Sequence, residues 1–142
     1  MAPAAPISPP TYTRAQLEAF FDHISLPKSR RIYNISSPAL SPEETLRYLT
    51  LLQKLTLVAV PFENLSIHYS KSHEVDLDAD VLWEKVVGRN VKDNDEKRRR
   101  GGGRGGYCME NNRFFGVIIY SLGFNVYAAG ARVKSPEGFG GW

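Results

Sequence analysis

The stretch "KRRRGGGRGGYCMENN", Lys97 to Asn112, changes character halfway along. As far as Gly103 it is arginine and glycine, the composition of a basic arm that binds nucleic acid. From Arg104 it is a two-glycine turn that delivers Cys108, the one cysteine of the chain, to the start of a helix-like pattern. The first half suggests a disordered polyanion binder. The second suggests a folded domain that presents a thiol.

Charge separates the two. The chain carries 18 basic and 15 acidic residues, a net +3. Five of the basic ones (Lys97, Arg98, Arg99, Arg100 and Arg104) lie in this stretch, and 18 less 5 leaves 13 against 15 acidic. The basicity is local, so the body of the protein has no general attraction for polyanions. Arginine-glycine segments bind RNA through several dispersed repeats beside stacking platforms. Here one R-G-G runs straight into a helix, with Tyr107 the only adjacent aromatic. No nucleic-acid partner is expected.

Length and composition fit a folded chain: 142 residues, 42% apolar and 23% charged, enough for one domain with a core. A single cysteine cannot form an internal disulfide, so nothing points to an oxidising compartment. The start, "MAPAAPISPPTYT", lacks a basic residue followed by an apolar run and does not read as a secretory signal. The nearly apolar run Phe114 to Phe124 is too short to span a bilayer. The expectation is a soluble, cytoplasmic protein with no membrane partner.

Three helices precede the cysteine. Thr13 and Gln16 form a capping-box pattern ahead of Leu17, Phe20, Phe21 and Ile24. Ser41, Pro42 and Glu44 form a second box with proline at the first helical position, followed by Leu46, Leu49, Leu52 and Leu55 until Pro61. A shorter helix follows Asp78, with Val81, Leu82, Val86 and Val87 apolar and Gly88 at its end. Between them "NLSIHYS" alternates like a short strand or extended link. After the cysteine a helix is expected to Leu122, closed by Gly123, and then "NVYAAGARV" as a strand.

Cys108 could be a small buried hydrophobe, the usual fate of a lone intracellular cysteine. Its surroundings argue otherwise. Gly105 and Gly106 allow a sharp turn, and the helix that follows aims its positive end at the sulfur, an arrangement that favours the thiolate. Arg104 adds charge of the same sign. These are parts of an activated nucleophile that still needs a base. His23 in the first helix, His68 in the extended stretch and His73 in a polar loop are the histidines present. None is marked as that base by its setting.

"RGGYCMENN", Arg104 to Asn112, resembles the active-site signature of the arylamine N-acetyltransferases, R-G-G-Y-C-[FM]-E-x-N. "VPFENLSIH", Val60 to His68, resembles the family's P-F-E-N-L marker, in the correct order. The resemblance implies an α+β fold: an N-terminal helical bundle, then a β-barrel-like domain with a cysteine-protease-like Cys-His-Asp architecture, then a lid. It implies a ping-pong reaction. The sulfur corresponding to Cys108 takes an acyl group from acetyl-CoA, with malonyl-CoA the alternative donor, and passes it to an arylamine or hydrazine. No metal is implied.

It also implies roles. Glu63 and Arg104 would pair to hold the active-site turn with Gly105 and Gly106. Phe62 would line the acceptor pocket, and Glu110 and Asn112 would brace the first helical turn. His23 stands where the family usually has arginine, and "NVKDNDEKRRRGGG" looks like an insertion. The family's catalytic histidine and aspartate follow the segment that ends at Trp142, so this chain is expected to be incomplete and slow by itself. The resulting division is a lead-in over 1–13, a helical domain over 14–88, a basic loop over 89–103, and over 104–142 the cysteine helix with the first strand of a second domain. The competing readings are a non-catalytic family remnant and an RNA-binding protein.

Overall fold

The structure, a computed structural model, describes residues 9–36, 40–88 and 103–131. Packing begins before the first helix. Tyr12 is buried, donates its hydroxyl to the Ala79 carbonyl at 2.7 Å, and its backbone N–H reaches Ser121 Oγ at 2.8 Å. Helix α1, Arg14–His23, starts at the expected capping box: Gln16 N–H donates to Thr13 Oγ1 and Thr13 N–H donates to Gln16 Oε1. Its apolar positions Leu17, Phe20 and Phe21, with Ile24 just beyond, are all buried. A single 3-10 turn, Lys28–Arg30, then leads towards helix α2, Pro42–Ala59. Ser41 caps α2, Pro42 sits in its first turn and Glu44 closes the box.

Helix α2 buries a different face from the one the leucines suggest. Tyr48, Leu52 and Thr56 point inward, with Leu55 and Ala59 partly buried, while Leu46 is exposed. Leu46, Leu49, Leu52 and Leu55 recur every three residues, and steps of three drift by about 60° around an α-helix. A stripe with steps of four can stay on one neighbour, and 48, 52 and 56 have that spacing.

Two segments, one expected as a short strand or extended link and one as a strand, form no strand among the described residues. "NLSIHYS" contains helix α3, Leu65–Tyr69, opened by bonds from Ile67 N–H and His68 N–H to the Asn64 carbonyl. Apolar residues at alternate positions suit one helical turn as well as a strand, and among the described residues no neighbouring strand offers a ladder here. Likewise residues 125–131 of "NVYAAGARV" form no strand, and Tyr127 is exposed. A strand needs another backbone to pair with, and the only bridge among the described residues is elsewhere. The described residues are thus mostly helical, and no barrel is formed by them.

Helix α4, Ala79–Val86, is capped by Asp78, whose carboxylate accepts from the N–H groups of Asp80 and Val81. Helix α5, Cys108–Ser121, lies beside it and ends where Gly123 takes φ +93°. One core joins α1, α2, α4 and α5. Phe114 is its centre, fully buried, with ring centroids 5.8 Å from Phe20, 6.0 Å from Tyr12 and 6.4 Å from Trp83. Packing a helix from before the basic stretch against one after it carries Cys108 back to the Pro61–Glu63 segment. The basic stretch up to residue 102 and the terminal "KSPEGFGGW" lie outside the described residues.

Candidate active site

The turn before Cys108 is held by backbone first. Gly106 N–H donates to the Pro61 carbonyl at 3.2 Å and Glu63 N–H donates to the Gly106 carbonyl at 3.0 Å, a parallel bridge between Phe62 and Gly106. The sequence marks Gly105 and Gly106 as turn formers, but neither has a positive φ. They are needed for close approach. A Cβ on Gly105 would lie 1.5 Å from the Pro61 carbonyl oxygen, and one on Gly106 would lie 2.8 Å from Glu110 Cβ. Upstream, Gly103 N–H and Arg104 N–H donate to the carbonyls of Val86 and Lys85 at the end of α4.

At the head of α5, Tyr107 is extended and Cys108 takes the first helical position, where backbone N–H groups lack helical partners. Glu110 Oε2 reaches back to the Tyr107 N–H at 2.9 Å, which satisfies one orphan donor and places negative charge at the positive end of the helix. Asn111 Nδ2 donates to the Gly106 carbonyl at 2.8 Å. Asn111, rather than the expected Asn112, is therefore the amide that braces this turn; Asn112 is exposed. Cys108 itself is exposed at the surface of the turn.

Beneath the turn lies a charge network. Arg104 and Glu63 pair as expected, Nη2 to Oε1 at 3.2 Å, though Arg104 is 45% exposed in its side chain. The interior cation is Lys85, a residue sequence reasoning did not single out. Its Nζ lies 3.1 Å from Glu63 Oε1, 2.8 Å from Glu110 Oε1 and 3.2 Å from Ser66 Oγ. The side chains of Lys85, Glu63 and Glu110 are 10%, 13% and 4% exposed. Burial by itself would raise the Glu63 carboxyl; the Leu65 N–H at 2.6 Å, Lys85 and Arg104 outweigh it and hold the group below its ordinary value. The signal for Lys85 was weak: in "LWEKVV" either charged residue could face water, and only the fold shows that Lys85 turns inward while Glu84 is exposed.

The remaining candidates lie around this network. The Phe62 ring is 65% exposed and tilts against Tyr107 with centroids 5.7 Å apart, beside the cysteine turn. His23 ends α1, His68 lies in α3 with its ring against Tyr69, and His73 Nδ1 bonds with the Ile67 carbonyl at 2.7 Å. The bonds that hold the turn run through Pro61, Glu63, Lys85, Glu110 and Asn111. Among the described residues, no helix is long and apolar enough to cross a membrane, and no cluster of His, Cys, Asp and Glu is arranged to hold a metal.

Comparison with known proteins places this arrangement. The model of the N-acetyltransferase family matches residues 45–139, which contain both the P-F-E-N-L segment and the cysteine turn. N-malonyltransferase FDB2 of Fusarium pseudograminearum is 36% identical over 129 residues, covering 89% of this chain and 34% of the relative. The pineal gland arylamine N-acetyltransferase isozyme NAT-3 of Gallus gallus is 39% identical over 92 residues, 65% of this chain and 27% of the relative. Arylamine N-acetyltransferase 1 of Homo sapiens is 28% identical over 119 residues, 84% of this chain and 32% of the relative. The chain spans about a third of the length of these curated relatives. With the match, both markers and their joining through Gly106 and Glu63, the chain belongs to the arylamine N-acetyltransferase family.

Proposed function

We propose that this chain carries the acyl-accepting cysteine of an acyl-CoA-dependent N-acyltransferase. The Cys108 sulfur attacks the thioester carbonyl of the donor, the C–S bond to CoA breaks, and CoA leaves as its thiol. A primary amine, an arylamine or hydrazine, then attacks the acyl-cysteine; nitrogen gains the acyl group and loses a proton, and the Cys108 thiol is restored. The observation that carries this reading is the exposed sulfur at the first position of α5, on a turn clamped to Pro61 and Glu63. Free N–H groups and the helix dipole at that position favour negative charge on the attacking sulfur. Phe62, beside the turn, is the proposed wall of the acceptor site. The Cys-His-Asp geometry and barrel-like domain implied by the family belong to the same proposal.

Both acetyl-CoA and malonyl-CoA are candidate donors, since relatives named for each transfer match this chain. The test is intact mass after incubation with each donor. It is made on the 142 residues and on the chain extended by whatever coding sequence follows it in the genome. The expected result is a single acyl increment on the extended chain, chased off by an arylamine and abolished by Cys108→Ser, with little on the 142 residues. No increment from either donor on the extended chain would overturn the proposal.

A further inference from the structure

We propose that Lys85 is a positioning residue for Cys108, the buried counter-charge that lets Glu110 serve as the acidic cap of α5 and keeps Glu63 in line with Arg104. The inference rests on the reading of Cys108 as the reactive sulfur. An ammonium has three protons to donate, and Lys85 has three acceptors: Glu63 Oε1, Glu110 Oε1 and Ser66 Oγ. No donor is left for water, so the side chain is fixed rather than snorkelling. Each carboxylate it binds spends its other oxygen on a backbone N–H next to the site. Glu110 Oε2 takes the Tyr107 N–H, one residue before Cys108, and Glu63 Oε2 takes the Leu65 N–H. Lys85 therefore acts on the turn through two carboxylates, and its Nζ bonds go to Glu63, Glu110 and Ser66 rather than to the sulfur.

Charge balance gives this a consequence. Glu63 and Glu110 are two negative charges, and Lys85 and Arg104 are two positive ones. Among the described residues, the half-exposed Arg104 side chain bonds Glu63, whereas Glu110 is 4% exposed and has Lys85 as its salt-bridge partner. Without Lys85, Glu110 is left buried two residues from Cys108 with no cation beside it among the described residues. Its charge then opposes a second negative charge on the sulfur and costs stability as well. Replacing lysine by methionine and Glu110 by glutamine together removes both charges and leaves the volume nearly unchanged.

The chain has one cysteine, so iodoacetamide labelling at fixed neutral pH, read by intact mass, reports Cys108 alone. Lys85→Met is expected to slow labelling by about tenfold, the effect of one unbalanced charge nearby. Lys85→Arg and the double variant Lys85→Met/Glu110→Gln are expected to label within about twofold of the original chain. Labelling of Lys85→Met at the original rate or faster, in a folded chain, overturns the proposal, and so does a double variant as slow as Lys85→Met. A Lys85→Met chain that fails to fold while the double variant folds is the same support read through stability; failure of both to fold overturns it, because packing would then be what Lys85 supplies. Alkylation needs no acyl-CoA, so the two readings fail separately. A chain that is alkylated but never acylated sinks the acyl-transfer reading and leaves this one standing.

Discussion

Gly105 and Pro61 meet backbone to backbone, so closely that a Cβ on the glycine would fall 1.5 Å from the proline carbonyl oxygen. That oxygen is the acceptor for Gly106 N–H, half of the bridge that seats the cysteine turn. Any side chain at 105 must therefore break the bridge before it fits.

Gly105→Ala is expected to cost at least about 3 kcal/mol, the upper range for overpacking. Gly103→Ala makes the contrast. Gly103 has φ +85° but nothing within 4 Å of its missing Cβ, so only backbone strain of about 1–2 kcal/mol is expected. Urea denaturation of the two variants checks the order. A Gly105→Ala chain as stable as Gly103→Ala would contradict the close approach.

Arg104→Ala should be mild in stability. Its guanidinium is half exposed and 3.2 Å from Glu63, which keeps Lys85 as a second partner, so the loss is expected to be about 1 kcal/mol or less. Glu63→Ala strips a partner from buried Lys85 and is expected to cost about 3 kcal/mol. Thermal melts of both variants side by side settle the ranking.

Stability should fall at both ends of the pH scale for identifiable reasons. The Glu63 carboxyl is held below its ordinary value of 4.5, so its contribution is present above that pH and is lost as pH drops through the lower folded value. Burial, with Asp80 nearby, raises the Tyr12 phenol well above its ordinary 10.0. The unfolded chain then ionises first, and stability is lost as pH rises past about 10. Glu63→Gln should flatten the acid limb and Tyr12→Phe the alkaline one, in denaturation curves taken across pH. Tyr12→Phe also loses the bond to the Ala79 carbonyl, about 1 kcal/mol at neutral pH.

Phe114→Ala should be the most destructive of the core substitutions. The ring is fully buried among Tyr12, Phe20 and Trp83, and deletion of such a ring costs about 3–5 kcal/mol. The expected outcome is loss of cooperative melting by circular dichroism, together with loss of the Cys108 geometry that α5 carries.

What could be read from the chain alone was local. The capping boxes at Thr13 and Ser41 and the helix starting at Cys108 depend on residues within one turn, and each stands where its spacing indicated. The alternation in "NLSIHYS" was ambiguous because Leu65 and Ile67 suit a strand or a single turn, and the bonds to the Asn64 carbonyl decide it. The site was legible as two motifs, and Glu63 with Arg104 was legible as a pair. Lys85 was not, since its importance comes from meeting Glu63 and Glu110, 22 and 25 residues away in the chain. The glycines were visible, but the reason for them was the Pro61 carbonyl, which only tertiary packing brings there.

The bonds from Gly103 and Arg104 to the carbonyls of Val86 and Lys85 have a further consequence, for evolution rather than chemistry. They tie together the two ends of the stretch between Gly88 and Gly103, so the cysteine is anchored to α4 by a short circuit that bypasses everything between. Changes of length or charge between residues 89 and 102 can therefore accumulate while these two bonds keep their own donors and acceptors.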